Sequence, residues 1–331
     1  MFGLPLTVAA CGLGVLAAGA TRGLTQRAFR DIGEPLGHSG RWAALAAGLL
    51  VAGLTGAMLG AGAGAGCQQT PDVVPTPFWR DGRAVYHAVL IVLLVTATAT
   101  DLKAFYITDS VTLPGMLLGA AGATIAGDLQ IAHVWVDWNQ EIPQLTGPFR
   151  PDWLSIHPHL HGLAWSLTGL GVGAGLTWGV RAVSGWLLGQ EALGLGDVTL
   201  MGMIGSFLGW QPTVIAFLLA PLCALSVGLV VKLLGNRTYI PYGPYLSLSA
   251  ILVMFSWRGI WMLEFGLHEG ASAGDRTSTF ALRRLFGDWL SLAVIAALAV
   301  FGLVLLLGLS RLYRLIPVDR SRRAVDPSDP S

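Results

Sequence analysis

Apolar residues in this chain run together over long stretches, without the alternation of a strand or the one-sided stripe of a soluble helix. Nine such stretches lie near 3–20, 42–66, 84–100, 112–127, 160–180, 198–210, 213–234, 240–257 and 289–310. An α-helix needs about 20 apolar residues to cross a bilayer, so most of these stretches predict membrane spans. The stretch 198–210 is too short to cross at ordinary tilt and reads as a half-span paired with the next through Gln211-Pro212. The expected fold is therefore all-α, a polytopic transmembrane helix bundle of about eight to nine spans.

The polar intervals give the bundle its sides. Arg22, Arg27, Arg30 and Arg41 follow the first apolar run, and Arg311, Arg314, Arg320, Arg322 and Arg323 follow the last. Basic residues concentrate on the cytoplasmic side, which puts both intervals inside and the N-terminus outside. Alternating from there, 13 of the 20 Lys and Arg fall inside and 7 outside. The first run is read as a span and not as a cleaved signal peptide, because no basic residue precedes it. The outer intervals are 67–83, 128–159 and 258–288, where Trp135, Trp138 and Trp153 suit an interfacial belt. The tail from Val318 reads as disordered.

Composition agrees with the pattern and narrows the chemistry. Of 331 residues, 53% are hydrophobic and 12% charged, about half the charged share of a soluble domain. A net charge of +1 without a clustered basic face removes nucleic acid as a partner and leaves membrane lipid. Cys11, Cys67 and Cys223 are too far apart to form a C-x-x-C pair or a disulfide framework. His157, His159 and His161 alternate, but they lie in an outer interval with no evident fourth ligand. No metal and no organic cofactor is expected.

The 19 acids are few enough to sort. Ten fall outside, and five of the nine inside, Asp31, Glu34, Asp319, Asp326 and Asp329, lie in solvated segments. Asp101, Asp109, Glu191 and Asp197 remain. Asp109 sits between Thr108 and Ser110 in what reads as a turn and helix cap before the fourth span, and Glu191 reads as a solvated loop acid. Lys103, beside Asp101, either moderates that carboxylate or reaches up to the headgroups.

Asp101 closes the third span and Asp197 opens the sixth, with two spans between them. Two crossings return the chain to one membrane face, so the two carboxyls can meet. Crowded carboxyls share one proton, which lets one activate water while the other protonates a carbonyl or leaving amine. A carboxylate at a helix C-terminus opposes the helix dipole and one at an N-terminus is favoured by it, which puts the shared proton on Asp101. The plain alternative is that Asp197 caps its helix and Asp101 marks where the third span meets water. Gly194 and Gly196, ahead of Asp197, would let backbone or an extended peptide approach closely.

Three blocks carry a resemblance. Thr100-Asp101-Leu102-Lys103 through Thr108-Asp109-Ser110-Val111-Thr112-Leu113-Pro114 resembles the first aspartate region of the prepilin peptidases, or type IV leader peptidases. Gly194-Leu195-Gly196-Asp197 through Leu208-Gly209-Trp210 resembles their second, a GxGD block, and Ile240-Pro241-Tyr242-Gly243-Pro244-Tyr245 resembles their proline-glycine turn. The match covers roughly residues 84–257. It implies a membrane aspartyl protease that removes the basic leader from type IV prepilin or pseudopilin precursors at the cytoplasmic face of the inner membrane. Asp101 and Asp197 would be catalytic, with Gly194, Gly196, Lys103, Asp109, Pro241 and Gly243 in support.

Residues 1–83 then form an N-terminal two-span region, 84–257 the protease core, 258–317 an outer loop and last span, and 318–331 a tail. Thr108 stands where the family usually has Pro, and Thr199 where it usually has Lys. After the first span, many members insert a domain with paired C-x-x-C motifs and also methylate the new N-terminus. Only about twenty polar residues stand there here, so peptidase activity alone is expected. Two other classes fit paired aspartates in a membrane, a proton-coupled transporter and an inactive assembly protein of the same fold. Transporters favour midplane acids and repeated halves, and neither is evident in this sequence.

Overall fold

A computed structural model describes residues 6–60, 66–71, 73–136, 153, 156–234, 240–267 and 278–315. The tail, Trp138 and most of the interval 137–155 lie outside the described residues.

Each of the nine apolar stretches holds a helix. In chain order these are α1 (Leu6–Asp31), α2 (Ser39–Leu59), α3 (Pro77–Ala104), α4 (Asp109–Ala126), α5 (Pro158–Leu188), α6 (Leu195–Leu208), α7 (Trp210–Leu233) and α8 (Gly243–Trp261). A short antiparallel ribbon, β1 (Glu264–Leu267) and β2 (Ser278–Ala281), leads through α9 (Leu282–Gly287) to α10 (Trp289–Leu315). Asp288 accepts the N–H groups of Leu290 and Ser291 at 3.2 and 3.1 Å and so starts α10. The Ser291 hydroxyl, together with those N–H groups, holds its carboxyl below the usual carboxylate range.

The protein is a multi-pass membrane protein. By length and composition α1, α2, α3 and α7 each suffice to cross a bilayer. They differ in surroundings: most of the apolar stretch of α3 is buried inside the protein, whereas most of that of α7 is not. Here α3 is the axis of the bundle, packed by α1, α2, α4, α6 and α8. Without a hydrophobic drive between helices in lipid, such packing rests on close fit.

The fit is closest between α5 and α6. A Cβ on Gly169 would overlap the Gly205 carbonyl and one on Gly205 the Gly169 carbonyl, so the two backbones touch where only hydrogen fits. Polar pins cross the same layer. Buried Tyr86 of α3 donates to the carbonyls of Gly119 on α4 and Ser206 on α6, at 2.7 and 3.2 Å. Ser166 of α5 also donates to the Ser206 carbonyl, at 2.7 Å.

The short helix behaves otherwise than the sequence suggested. At 14 residues α6 is about 21 Å long, too short to cross. It is not chiefly paired with α7 but packs most closely on α5. The break before α7 falls at Gly209, whose φ is +78°, and Gln211-Pro212 lies inside the first turn of α7. A proline there costs nothing, since the first N–H groups of a helix have no partner within it. Gln211 is turned to the His133 carbonyl, 2.6 Å away.

Candidate active site

Asp101 stands in the last turn of α3, which ends when Phe105 turns left-handed (φ 53°) and donates its N–H to the Asp101 carbonyl, 2.9 Å away. The chain then drops Ile107 and Thr108 into the protein and restarts as α4 at Asp109. Asp197 lies in the first turn of α6 and is not its cap. The helix starts at Leu195, and the Asp197 carboxylate reaches back to the Gly194 N–H at 2.9 Å. This is the N-terminal half-box that favours an acid at this position. Both aspartates are buried, at 5% and 9% exposure.

The two carboxyls share one end of the bundle, close enough for the charge of Asp197 to act on Asp101. Gly243, the first residue of α8, presents its backbone N–H to Asp101. A Cβ on Gly243 would overlap the Asp101 carboxyl and come within 2.8 Å of Ile107. One on Gly196 would stand 3.0 Å from Ile107 as well. Ile107 is thus a wedge between the two glycines, one beside each aspartate. Tyr242 completes the turn, its phenol within reach of the Asp197 charge.

Sequence reasoning named the glycines and missed Ile107 and Tyr242. An isoleucine in an interval between spans carries no chemical signal. Its part arises through space, where two glycines leave a slot of its size.

The other expected residues divide. Pro241 is buried in the turn before α8. Lys103 and Asp109 are exposed at the same end. Asp109 starts α4 without capping it, and its neighbour Ser110 donates to Asp31 at the end of α1, 2.8 Å away. That bond puts the basic end of α1 on the side of the two aspartates, the arrangement that sidedness required. Glu191 pairs with Arg181 at 2.5 Å and is spoken for. Thr199 hydrogen-bonds Thr112 of α4 at 3.2 Å, joining the helices next to the site.

The three alternating histidines do not converge, because the chain is helical from Pro158. His159 faces the Thr124 carbonyl at 2.9 Å, and His161 is buried against His133 and Trp153. Among the described residues no group of three His, Cys, Asp or Glu is placed to hold a metal.

Two buried carboxyls at one face of a membrane bundle, with backbone N–H groups in attendance, are suited to handling a proton and a water. Comparison with known proteins points the same way: residues 148–229, which include Asp197, match the type IV leader peptidase family. Over those residues the chain is similar to the type IV leader peptidases.

Similar proteins include the type 4 prepilin-like proteins leader peptide-processing enzyme of Escherichia coli, 29% identical over 57% of this chain and 73% of that one. The prepilin leader peptidase/N-methyltransferase of Aeromonas hydrophila is 31% identical over 31% of this chain and 41% of its own length. That of Aeromonas salmonicida is 27% identical over 53% and 62%. No solved structure matches. The matched segment contains α5, α6 and most of α7, so Asp101 on α3 lies outside it.

Proposed function

We propose that the protein is a membrane aspartyl endopeptidase that cuts the basic leader from type IV prepilin or pseudopilin precursors. The supporting observation is that Asp101 on α3 and Asp197 on α6 are buried at one end of the bundle, with Gly243 and Gly196 packed on Ile107 beside them. The similar proteins, prepilin leader peptidases, suggest the substrate class.

In this reading the two carboxyls hold one proton between them. The ionised one takes a proton from water as its oxygen attacks the scissile carbonyl. The protonated one gives its proton to the carbonyl oxygen, and collapse of the tetrahedral species returns a proton to the leaving amine. The substrate's apolar helix stays in the bilayer while its basic leader projects into the cytosol from the inner membrane. Lys103 and Asp109 stand exposed at that face for contact with the leader.

Peptidase activity alone is inferred, without methylation of the new N-terminus. Labelled S-adenosylmethionine is expected to leave no stoichiometric label on the mature product, and such label would refute that part.

The main test is a cleavage assay with a purified prepilin in detergent. Asp101→Asn and Asp197→Asn are each expected to lose at least about a thousandfold in rate, as members of a catalytic unit do. Full activity in either variant ends the dyad reading.

A further inference from the structure

Opposite the dyad, the first turns of α3 carry a second set of charged groups that peptide cleavage does not use, Arg83 buried and Arg80 partly exposed. Arg83 is 1% exposed. Its Nη1 donates to the Gln68 carbonyl at 3.4 Å, while Nε and Nη2 have no acceptor among the described residues. Arg80, one turn earlier on the same helix face, likewise leaves a buried Nε unbonded. Its Nε pairs with the Asp81 carboxylate at 3.7 Å, longer than a hydrogen bond, and the rest of its side chain is partly exposed.

The surroundings are fixed and already engaged. The Gln68 amide donates to the Met254 carbonyl at 3.1 Å and meets His87 Nδ1 at 2.8 Å. Asp128, whose charge acts on Arg83, receives the N–H and hydroxyl of Thr76 at 3.1 and 3.4 Å. A guanidinium buried with most of its N–H groups idle is costly unless an acceptor arrives from outside. Arg80 and Arg83 both line one small cleft, together with Gly66, Gln68 and Gln69. The space in it that a water-sized sphere can reach is about 10 Å³, room for a single oxygen atom, and the cleft is partly open to the outside.

We propose that this cleft binds a phosphate group between Arg80 and Arg83, with one oxygen seated inside and the rest of the group at the mouth. Guanidinium groups take phosphate oxygens by charge-assisted hydrogen bonds, and the cleft admits one such oxygen but no carbon chain. The phosphate comes from an anionic phospholipid headgroup or from free phosphate.

The test uses the full chain in a phosphate-free, lipid-depleted detergent micelle. It is titrated separately with inorganic phosphate and with phosphatidylglycerol, and followed by native mass spectrometry and thermal unfolding. One bound equivalent is expected, with an upward shift in unfolding temperature at saturation. Affinity is expected to fall at least about tenfold in Arg83→Met, a fall of about 1.4 kcal/mol. A response to lipid alone assigns the headgroup, and a response to phosphate, alone or with lipid, assigns the ion. A wild-type protein indifferent to both, or an Arg83→Met variant that binds as wild type does, overturns the proposal. Should Arg83→Met fail to fold, Arg80→Met decides: weakened binding supports the site and unchanged binding overturns it. None of these readouts depends on peptide cleavage, so the site stands or falls apart from the protease reading.

Discussion

At its C-terminal end α3 buries Asp101 against the backbone of Gly243 and the charge of Asp197; at its N-terminal end it buries Arg83 against the amide and carbonyl of Gln68. Among the described residues no ion pair neutralises either aspartate, and Lys103 on the same turn is exposed. At the arginine end the neighbours are amides, carbonyls and two carboxylates, Asp128, which is bonded to Thr76, and Asp81, 3.7 Å from Arg80. One end brings two buried carboxyls together, and the other buries Arg83 with two of its three side-chain nitrogens unbonded among the described residues. On the two proposals above, a water and a peptide come to one end and a phosphate to the other.

The dyad end is the more demanding in geometry, and removing either carboxyl is the largest perturbation. Next comes moving one without removing it. In Gly243→Ala the new methyl overlaps the Asp101 carboxyl and crowds Ile107, so the carboxyl must shift. A displacement near 1 Å costs about a hundredfold in rate, and a fall in kcat of roughly ten- to a hundredfold is expected, with unfolding temperature little changed. Gly194→Ala is the control. Its methyl would stand 3.6 Å from Asp197, an ordinary contact, and less than about a threefold loss is expected. Equal losses in the two variants would show that the glycines serve the turn alone and not the placing of the carboxyls.

Much of this was legible in the sequence, for reasons that also mark where legibility stops. The helices followed from run length, because a bilayer sets the length of an apolar segment. Asp101 and Asp197 followed from scarcity, since an acid beside an apolar run is conspicuous when only 19 are present. In the sequence Arg83 is only one more charge of the outer interval 67–83, because charge and position say nothing of burial. Ile107 and Tyr242 act through contacts between elements far apart in the chain, which no local pattern encodes. In the sequence Gln211-Pro212 reads as the break because proline interrupts a helix, whereas the positive φ at Gly209 makes the turn.

Away from both ends, the middle of the bundle offers a test of stability without chemistry. Gly169→Leu drives a side chain into the Gly205 carbonyl on α6. A loss of about 1 to 3 kcal/mol is expected, as for overpacking in a tight core, read as a lower unfolding temperature in detergent. Since α6 carries Asp197, activity should fall with it. At a temperature where the variant is still folded, a fall in kcat larger than that of Gly243→Ala would mean that helix packing controls the site more than the local glycine contact does.

The smallest effect concerns the tie between α1 and the start of α4. Ser110 donates to Asp31 at 2.8 Å, an exposed bond across the face that carries the dyad. Water competes for both groups there, so Ser110→Ala should cost within about 0.5 kcal/mol. The same bond fixes the end of α1 beside the segment that carries Ile107. If α1 serves only to shield α3 from lipid, cleavage by Ser110→Ala will match wild type within about twofold, an expectation that rests on the small energy involved. If α1 also steadies the turn after Asp101, kcat will fall while the unfolding temperature stays put. Such a split would extend the dyad's support to a helix outside the segment that resembles the family, and would show that this end of α3 is held from both sides.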